Sequence, residues 1–423
     1  MLPKGLNIKN NEMYINKYSF NELRKEYGTP LYIYDKEEML YNIETFNKYF
    51  KGENFVSQVV YASKAFLVPR MCEIISEYDW MIDAVSIGDL HIIKNSMDIK
   101  KAVFHGNNKS YEELVYAITN NVGIIVVDNY EELFTIKELA DKYEKTVNTM
   151  FRVNPGIEAH THSYIQTSLL SSKFGESIYD EEVLDKIMKF YVANPNVLLL
   201  GFHSHIGSQI TEADAFLKNA EVMVEFTLKM TNKYNYELTE LNLGGGFGIR
   251  YISEEVNLED MLKSFSSKLD SLVKGTSIKK IYIEPGRSVV GRSGMTLYTG
   301  SMIKQTFGGK KYLFVDGGMT DNIRPALYQA EYDVINPVNL DGEKIIVDVV
   351  GKCCESGDIV SKGTSIAFTK GDPILVLSTG AYGYSMSSNY NSALKPTVIL
   401  VDEKIEVISR RETLDDLMRL YNK

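Results

Sequence analysis

The chain is poor in cysteine: three in 423 residues, at Cys72, Cys353 and Cys354. That excludes a disulfide framework and fits a reducing cytoplasm. The adjacent pair cannot by itself supply tetrahedral zinc spacing. No apolar run reaches the roughly 18 residues that a membrane-spanning helix requires. The opening stretch, MLPKGLNIKNNEMYINKY, lacks the apolar core of a signal peptide, so no export is expected. Positive charge is also in deficit. Lysine and arginine total 46 against 56 acidic residues, a net charge of −10, which argues against a phosphate-backbone binder. Neither nucleic acid nor membrane is an expected partner. Low-complexity linkers and fixed-period repeats are missing too.

What is present is a rhythm. With 423 residues, one large and one smaller domain are expected. Short apolar, strand-like runs fall at 58–64, 81–86, 102–106, 123–128, 149–154, 198–207, 238–246 and 280–286. Between them lie segments with apolar residues at helical spacing, such as YEELVYAIT and AFLKNAEVMVEFTLKMTNKY. Eight β units alternating with helices predict a (β/α)8 barrel of the TIM type. After Gly291 the texture changes to strand-like runs separated by Gly and Asp turns, which predicts a β-rich, sandwich- or barrel-like domain closed by a last helix. The expected division is an N-terminal segment 1–38 that lends strands to the β domain, a barrel at 39–290, and the β domain at 291–423.

A barrel gathers its chemistry at the carboxyl ends of its strands. Those ends carry Lys64, Asp83 and Ser86, His105, Asp128, Arg152, His203 and His205, Gly244 to Gly246, then Glu284 and Arg287. Lys64 is read either as a snorkelling surface lysine or as an amine that forms a Schiff base, which asks for burial to depress its pKa. LNLGGGFG (241–248) has more glycine than a tight turn needs. It predicts a nest of backbone N–H groups for an anion, phosphate above all, without the spacing of a dinucleotide or Walker loop. In EPGR (284–287), Glu284 either pairs with Arg287 or faces a pyridinium nitrogen. HSHIGS (203–208) puts two histidines at i, i+2, hence on one strand face. Zinc is the rival there, without an evident set of further ligands; an imidazole packed flat on a cofactor ring, with Ser208 donating to phosphate, is preferred. In the β-rich half, Arg324 and Tyr328 of DGGMTDNIRPALY (316–328) and Glu355 of KCCESGD (352–358) suit an amino-acid end, a guanidinium for carboxylate and a carboxylate for ammonium. Taken singly, each would more often be a surface turn with a salt bridge. GAYGYSMSSNYN (380–391) reads as a ligand loop with Tyr382 as its aromatic contact.

In their order along the chain, YASKAF, FHGNNKS, RVNPG with HTHSYIQT and SKFG, HSHIGSQI, LNLGGGFG, EPGRSVVG, DGGMTDNIRPALY, CESGD and GAYGYSMSSNYN resemble the fold-type III pyridoxal-phosphate decarboxylases, and within them the branch that acts on diaminopimelate. The resemblance runs from about residue 28 to about residue 400. It implies pyridoxal 5′-phosphate as cofactor, bonded to Lys64, with His205 stacked on its ring and Glu284 on its ring nitrogen. Asp83 belongs to the same cofactor set. Phosphate falls to Ser208, the loop Gly244, Gly245 and Gly246, the Gly286–Arg287 backbone and Tyr382. Arg287, Arg324, Tyr328, Glu355 and Tyr382 are implied to meet substrate. Cys354 is implied to donate the proton across a homodimer interface with shared active sites. The implied reaction is decarboxylation of meso-2,6-diaminopimelate to lysine, the last step of lysine biosynthesis. Ornithine- or arginine-type decarboxylation and racemisation are the alternatives. Three departures stand out: SALKP (392–396) where an arginine-proline run is usual, Phe66 where asparagine is common, and Cys353 where proline is common. The Ser-rich stretch 162–175 would permit closure as a lid.

Overall fold

The structure is a computed structural model that describes residues 2–157, 172–253 and 256–421. Its described residues fall into two compact units. One draws on 1–43, 249–254 and 287–423, the other on 44–248 and 255–286.

The second unit is the barrel. Its strands are β1 (Val56–Tyr61), β2 (Met81–Ala84), β3 (Ala102–Phe104), β4 (Ile124–Val127), β5 (Val147–Asn154), β6 (Val197–His203), β7 (Glu240–Asn242) and β8 (Lys280–Ile283). All neighbours are parallel, β8 pairs with β1, and the β4–β5 pairing closes the ring. A buried cluster of Val60, Met81, Val103, Ile124, Val126, Met150 and Tyr282 takes residues from β1 to β5 and β8. Ordinary caps start the intervening helices. Ser110 and Glu113 form a reciprocal capping box at Tyr111–Thr119. Ser86, a strand-end candidate, is used this way: its hydroxyl caps Ile87–Lys94 by accepting the Asp89 N–H.

Several strands are shorter than the apolar runs predict. β6 stops at His203 and β7 at Asn242, so 204–207 and 243–246 are loops. Burial, rather than strand geometry, keeps those loop residues apolar: Ile206 and Leu243 are both sealed from solvent.

The first unit is β-rich. β9 (Gly294–Gln305), β10 (Lys311–Val315), β11 (Ile345–Val350), β12 (Ile359–Ile366), β13 (Pro373–Val376), β14 (Thr397–Val401) and β15 (Ile405–Ser409) build its main sheet. The N-terminal run Leu31–Asp35 enters this sheet between β9, to which it is antiparallel, and β14, to which it is parallel. All five of its residues are buried; the first four are apolar or aromatic, and Asp35 accepts the Gly5 and Glu38 N–H groups. The preceding strands Leu6–Lys9, Glu12–Ile15 and Tyr18–Ser19 form their own small sheet. Leu6, Met13, Ile15 and Phe20 pack with Leu31, Met295, Leu375 and Ile399 in one core, and Tyr298, Leu313, Val349 and Ile374 belong to a second.

Candidate active site

At the end of β1 the chain turns through a single 3-10 turn, Ser63–Ala65, and Lys64 rides on it. Three bonds lock the turn. The Ala62 N–H donates to Pro285 O at 3.0 Å, the Ser63 N–H to Asp83 Oδ1 at 2.6 Å, and the Tyr61 hydroxyl to Phe66 O at 2.8 Å. Lys64 itself is exposed between buried Ser63 and Ala65, not buried as the amine reading asked. The reason is position: the turn lies beyond the strand, so its neighbours face the core while its own side chain leaves it. Its charge still acts on the site. Asp83 is buried, and burial pushes its carboxyl up while the charges of His105 and Lys64 oppose that rise.

Glu284, just past β8, is 8% exposed. Asn242 Nδ2 donates to its Oε1 at 2.8 Å, and His203 Nε2 lies 3.3 Å from its Oε2. His105 Nε2 is 3.0 Å from Oε1 without the alignment of a hydrogen bond. Burial opposes the charge on Glu284, yet the imidazoles of His105 and His203 hold the carboxyl well below its usual range. His203 is pushed down to about 4, by burial first. A neutral His203 that donates from Nε2 and a carboxylate that also accepts from Asn242 satisfy this arrangement. The ligand-type atoms of His105, His203 and Glu284 lie within 4.8 Å of one another, metal-site chemistry in kind, but both Glu284 oxygens are already engaged.

The two histidines of HSHIGS part company. His203 ends β6 and turns to Glu284, whereas His205 lies beyond the strand and its Nδ1 accepts the Gly245 N–H at 3.1 Å. They do not share a strand face, because the strand ends between them. Desolvation and then the Lys64 charge hold the His205 imidazole well below its usual range. With Nδ1 accepting, a neutral His205 carries its proton on Nε2.

The glycine loop has two functions. A Cβ on Gly245 would lie 2.0 Å from Glu284 O, and one on Gly244, at φ +68°, would lie 2.3 Å from Ser204 O. These two glycines are therefore required by the close approach of neighbouring strand ends. Their amides are also spent inside the protein, Gly244 on Asn242 Oδ1 at 2.9 Å and Gly245 on His205 Nδ1. Among the described residues the Gly246 N–H makes no hydrogen bond, so the amide left to meet a ligand is that of Gly246.

Sequence reasoning missed Asn242, although it directly precedes the glycine loop, and it missed Lys109. Lys109 Nζ is buried and donates to Gly106 O at 2.8 Å, Val126 O at 2.7 Å and Glu132 Oε1 at 2.9 Å, which ties the ends of β3 and β4 together. Asp128 accepts the Gly175 N–H at 3.2 Å, with Arg152 Nε 4.0 Å from its other oxygen. HTHSYIQT and most of the stretch expected as a lid lie outside the described residues.

In the β-rich unit, Arg287 and Arg324 are buried, and the Tyr382 ring lies 5.0 Å from the guanidinium carbon of the first and 5.3 Å from that of the second. The Tyr328 ring is 5.5 Å from Arg324. Cys354 and Glu355 are both exposed, and the Tyr390 hydroxyl donates to Glu355 Oε1.

Residues 38–291 match the family model described as pyridoxal-dependent decarboxylase, pyridoxal binding domain, which sets the class as a pyridoxal-phosphate-dependent decarboxylase. Diaminopimelate decarboxylase of Bacillus subtilis (strain 168) is 39% identical over 94% of this chain and 92% of its own, and that of Staphylococcus aureus (strain COL) is 38% identical over 97% of each. The crystal structure of diaminopimelate decarboxylase from Methanocaldococcus jannaschii in co-complex with L-lysine superposes with a TM-score of 0.92 at 31% identity, over 99% of this chain and 98% of the other. The chain belongs to the diaminopimelate decarboxylase family.

Proposed function

We propose that the chain decarboxylates meso-2,6-diaminopimelate to L-lysine and CO2 with pyridoxal phosphate. The observation that carries this reading is the buried Glu284 carboxylate, held ionised at the end of β8 by Asn242 and two imidazoles in a barrel that offers the Lys64 amine at the end of β1. The residues fit the cofactor: a primary amine to bond its aldehyde carbon, a carboxylate to keep a ring nitrogen protonated, an imidazole for its face, and N–H and O–H donors for its phosphate. When bound, pyridoxal phosphate supplies the electron sink for the bond that breaks.

The protein's own part is orientation and proton control. Lys64 would anchor the cofactor through its amine. Glu284 would face the ring nitrogen and hold its charge, and Asp83 holds the Lys64 turn. His205 is steadied by Gly245 for ring contact. Ser208, the Gly246 amide, the Gly286–Arg287 backbone and Tyr382 serve phosphate. Arg287, Arg324, Tyr328, Glu355 and Tyr382 meet the amino-acid substrate. Cys354 delivers a proton to the carbon that loses the carboxylate. The exposure of Cys354 and Glu355 supports action across a homodimer interface. Among the described residues all three cysteines are free and no helix is long and apolar enough to cross a membrane, in keeping with work in the cytoplasm as a biosynthetic enzyme. The domain division 1–38, 39–290 and 291–423 is kept as a functional division, with the first segment lending strands to the β domain.

The test is turnover of diaminopimelate, ornithine and arginine by the cofactor-loaded protein, with CO2 and the amine product measured. Preference for diaminopimelate is expected; preference for ornithine overturns the reading. Borohydride reduction is expected to fix the cofactor to Lys64, and a label that maps to another lysine overturns its assignment.

A further inference from the structure

Arg287 and Arg324, both buried in the β-rich unit, each donate to a tyrosine hydroxyl. Arg324 opens the short helix Arg324–Tyr328 and is 8% exposed. Its Nε donates to the Tyr332 hydroxyl at 2.8 Å. Arg287 Nη1 donates to the Tyr251 hydroxyl, and the Tyr251 and Tyr332 rings meet edge to face at 5.5 Å between centroids. Tyr382, whose ring lies against both guanidiniums, sits at φ +63°, a backbone state that a tyrosine rarely adopts.

A phenol holds a guanidinium in place without neutralising it. Burial pushes the Tyr332 hydroxyl up to about 12, so it stays neutral at physiological pH. Among the described residues no carboxylate lies within 4.0 Å of Arg324. A buried cation that lacks a counterion is costly, and an anionic ligand relieves that cost. With its Nε turned to Tyr332, Arg324 keeps its paired terminal nitrogens, the edge that takes a carboxylate through two parallel bonds.

We propose that Tyr251 and Tyr332 are positioning residues that aim Arg287 and Arg324 at the carboxylates of the substrate. The inference rests on the decarboxylase reading and deepens it: selectivity for an amino acid with a second carboxylate is set through two tyrosines that need not touch the substrate.

The experiment is calorimetric titration of the cofactor-loaded protein with diaminopimelate, L-lysine and 1,5-diaminopentane, beside steady-state kinetics. The variants are Tyr332→Phe, Tyr251→Phe and Arg324→Gln, plus Tyr332→Phe combined with Arg324→Gln. In Tyr332→Phe, KM for diaminopimelate and Kd for lysine are expected to rise roughly 10–100-fold, with kcat within a few-fold. Affinity for 1,5-diaminopentane, which has no carboxylate, should not move. In the Arg324→Gln background Tyr332→Phe should add little, because it acts through that arginine. Equal weakening toward 1,5-diaminopentane, or full additivity in the double variant, overturns the inference. So does an unchanged KM in both tyrosine variants. If wild type binds neither diaminopimelate nor lysine, the decarboxylase reading falls and this inference falls with it. If wild type binds them and the tyrosine variants bind equally well, this inference alone falls.

Discussion

Asn242 binds Glu284 with its amide nitrogen at 2.8 Å and the Gly244 N–H with its amide oxygen at 2.9 Å. One buried side chain thus fixes both the carboxylate at the end of β8 and the first turn of the glycine loop. Asn242→Ala leaves a buried carboxylate oxygen and a backbone N–H short of a partner. It should cost roughly 2–6 kcal/mol, from about 1–3 kcal/mol for each of the two groups left unpaired. Chemical denaturation of the cofactor-free protein measures this, and cofactor affinity should fall with it.

Glu284→Gln keeps size and one acceptor but removes the charge. Loss of a preorganised charge of this kind typically lowers kcat by roughly 10²–10³-fold. Stability should change far less than in Asn242→Ala, because the amide can still accept from Asn242. Single-turnover measurement of CO2 release separates this loss from any change in substrate binding.

Cys354→Ala should lower kcat roughly 10²–10⁴-fold, the range for loss of a positioned proton donor, with cofactor loading intact. Its neighbour behaves differently. Burial, with Asp358 beside it, pushes the Cys353 thiol up to about 11. Cys353→Ala is expected to keep activity within a few-fold, and equal losses in the two variants would deny Cys354 its special place.

His203 sets a pH limit. Its imidazole is pushed down to about 4 by burial, against about 6.5 in an unfolded chain. A group depressed on folding gives stability that is full above pH 6.5 and lost as the pH falls toward 4. The loss is on the order of 3 kcal/mol at pH 4. Asp35 and Asp321 run the other way. Both are raised to about 6 by burial, so their contribution is full below about pH 4 and declines as the pH climbs through 6. Urea denaturation of wild type and His203→Gln between pH 4 and 7 should show a flatter acid limb in the variant.

Gly245→Ala places a Cβ 2.0 Å from Glu284 O, a backbone atom that cannot swing aside. Destabilisation of about 3 kcal/mol is expected, with loss of the His205 contact visible as a changed imidazole shift in NMR. Gly275→Ala, at φ +75° where a Cβ would meet nothing within 4 Å, carries backbone strain without a clash and is the comparison.

Much of this was written in the chain. The eight apolar runs located every barrel strand, because parallel strands covered by helices are buried on both faces and stay apolar throughout. Lys64, Asp83, His105, His203 and Glu284 were legible as strand-end groups. What resisted reading depended on where strands stop. A strand of three residues, β7, looks in sequence like one of nine when the following loop is also buried. That hid the parting of His203 from His205 and the structural demand on Gly244 and Gly245. The exposure of Lys64 fits one of the two readings the sequence allowed, since its flanking residues are core while its own side chain is not. Tyr251 and Tyr332 gave no local signal, since their partners Arg287 and Arg324 are brought to them only by tertiary structure.

The pairing of Leu31–Asp35 with Thr397–Val401 spans most of the chain. A ribosome completes the barrel segment long before it releases the partner of that N-terminal strand. Until then the strand can meet β9 on one edge but lacks its parallel partner on the other, and pairings of high sequence separation are slow. The barrel can mature during synthesis, whereas the β-rich unit must wait for the strand Thr397–Val401. A nascent chain stalled near residue 390 should hold a protease-resistant barrel and a cleavable N-terminus.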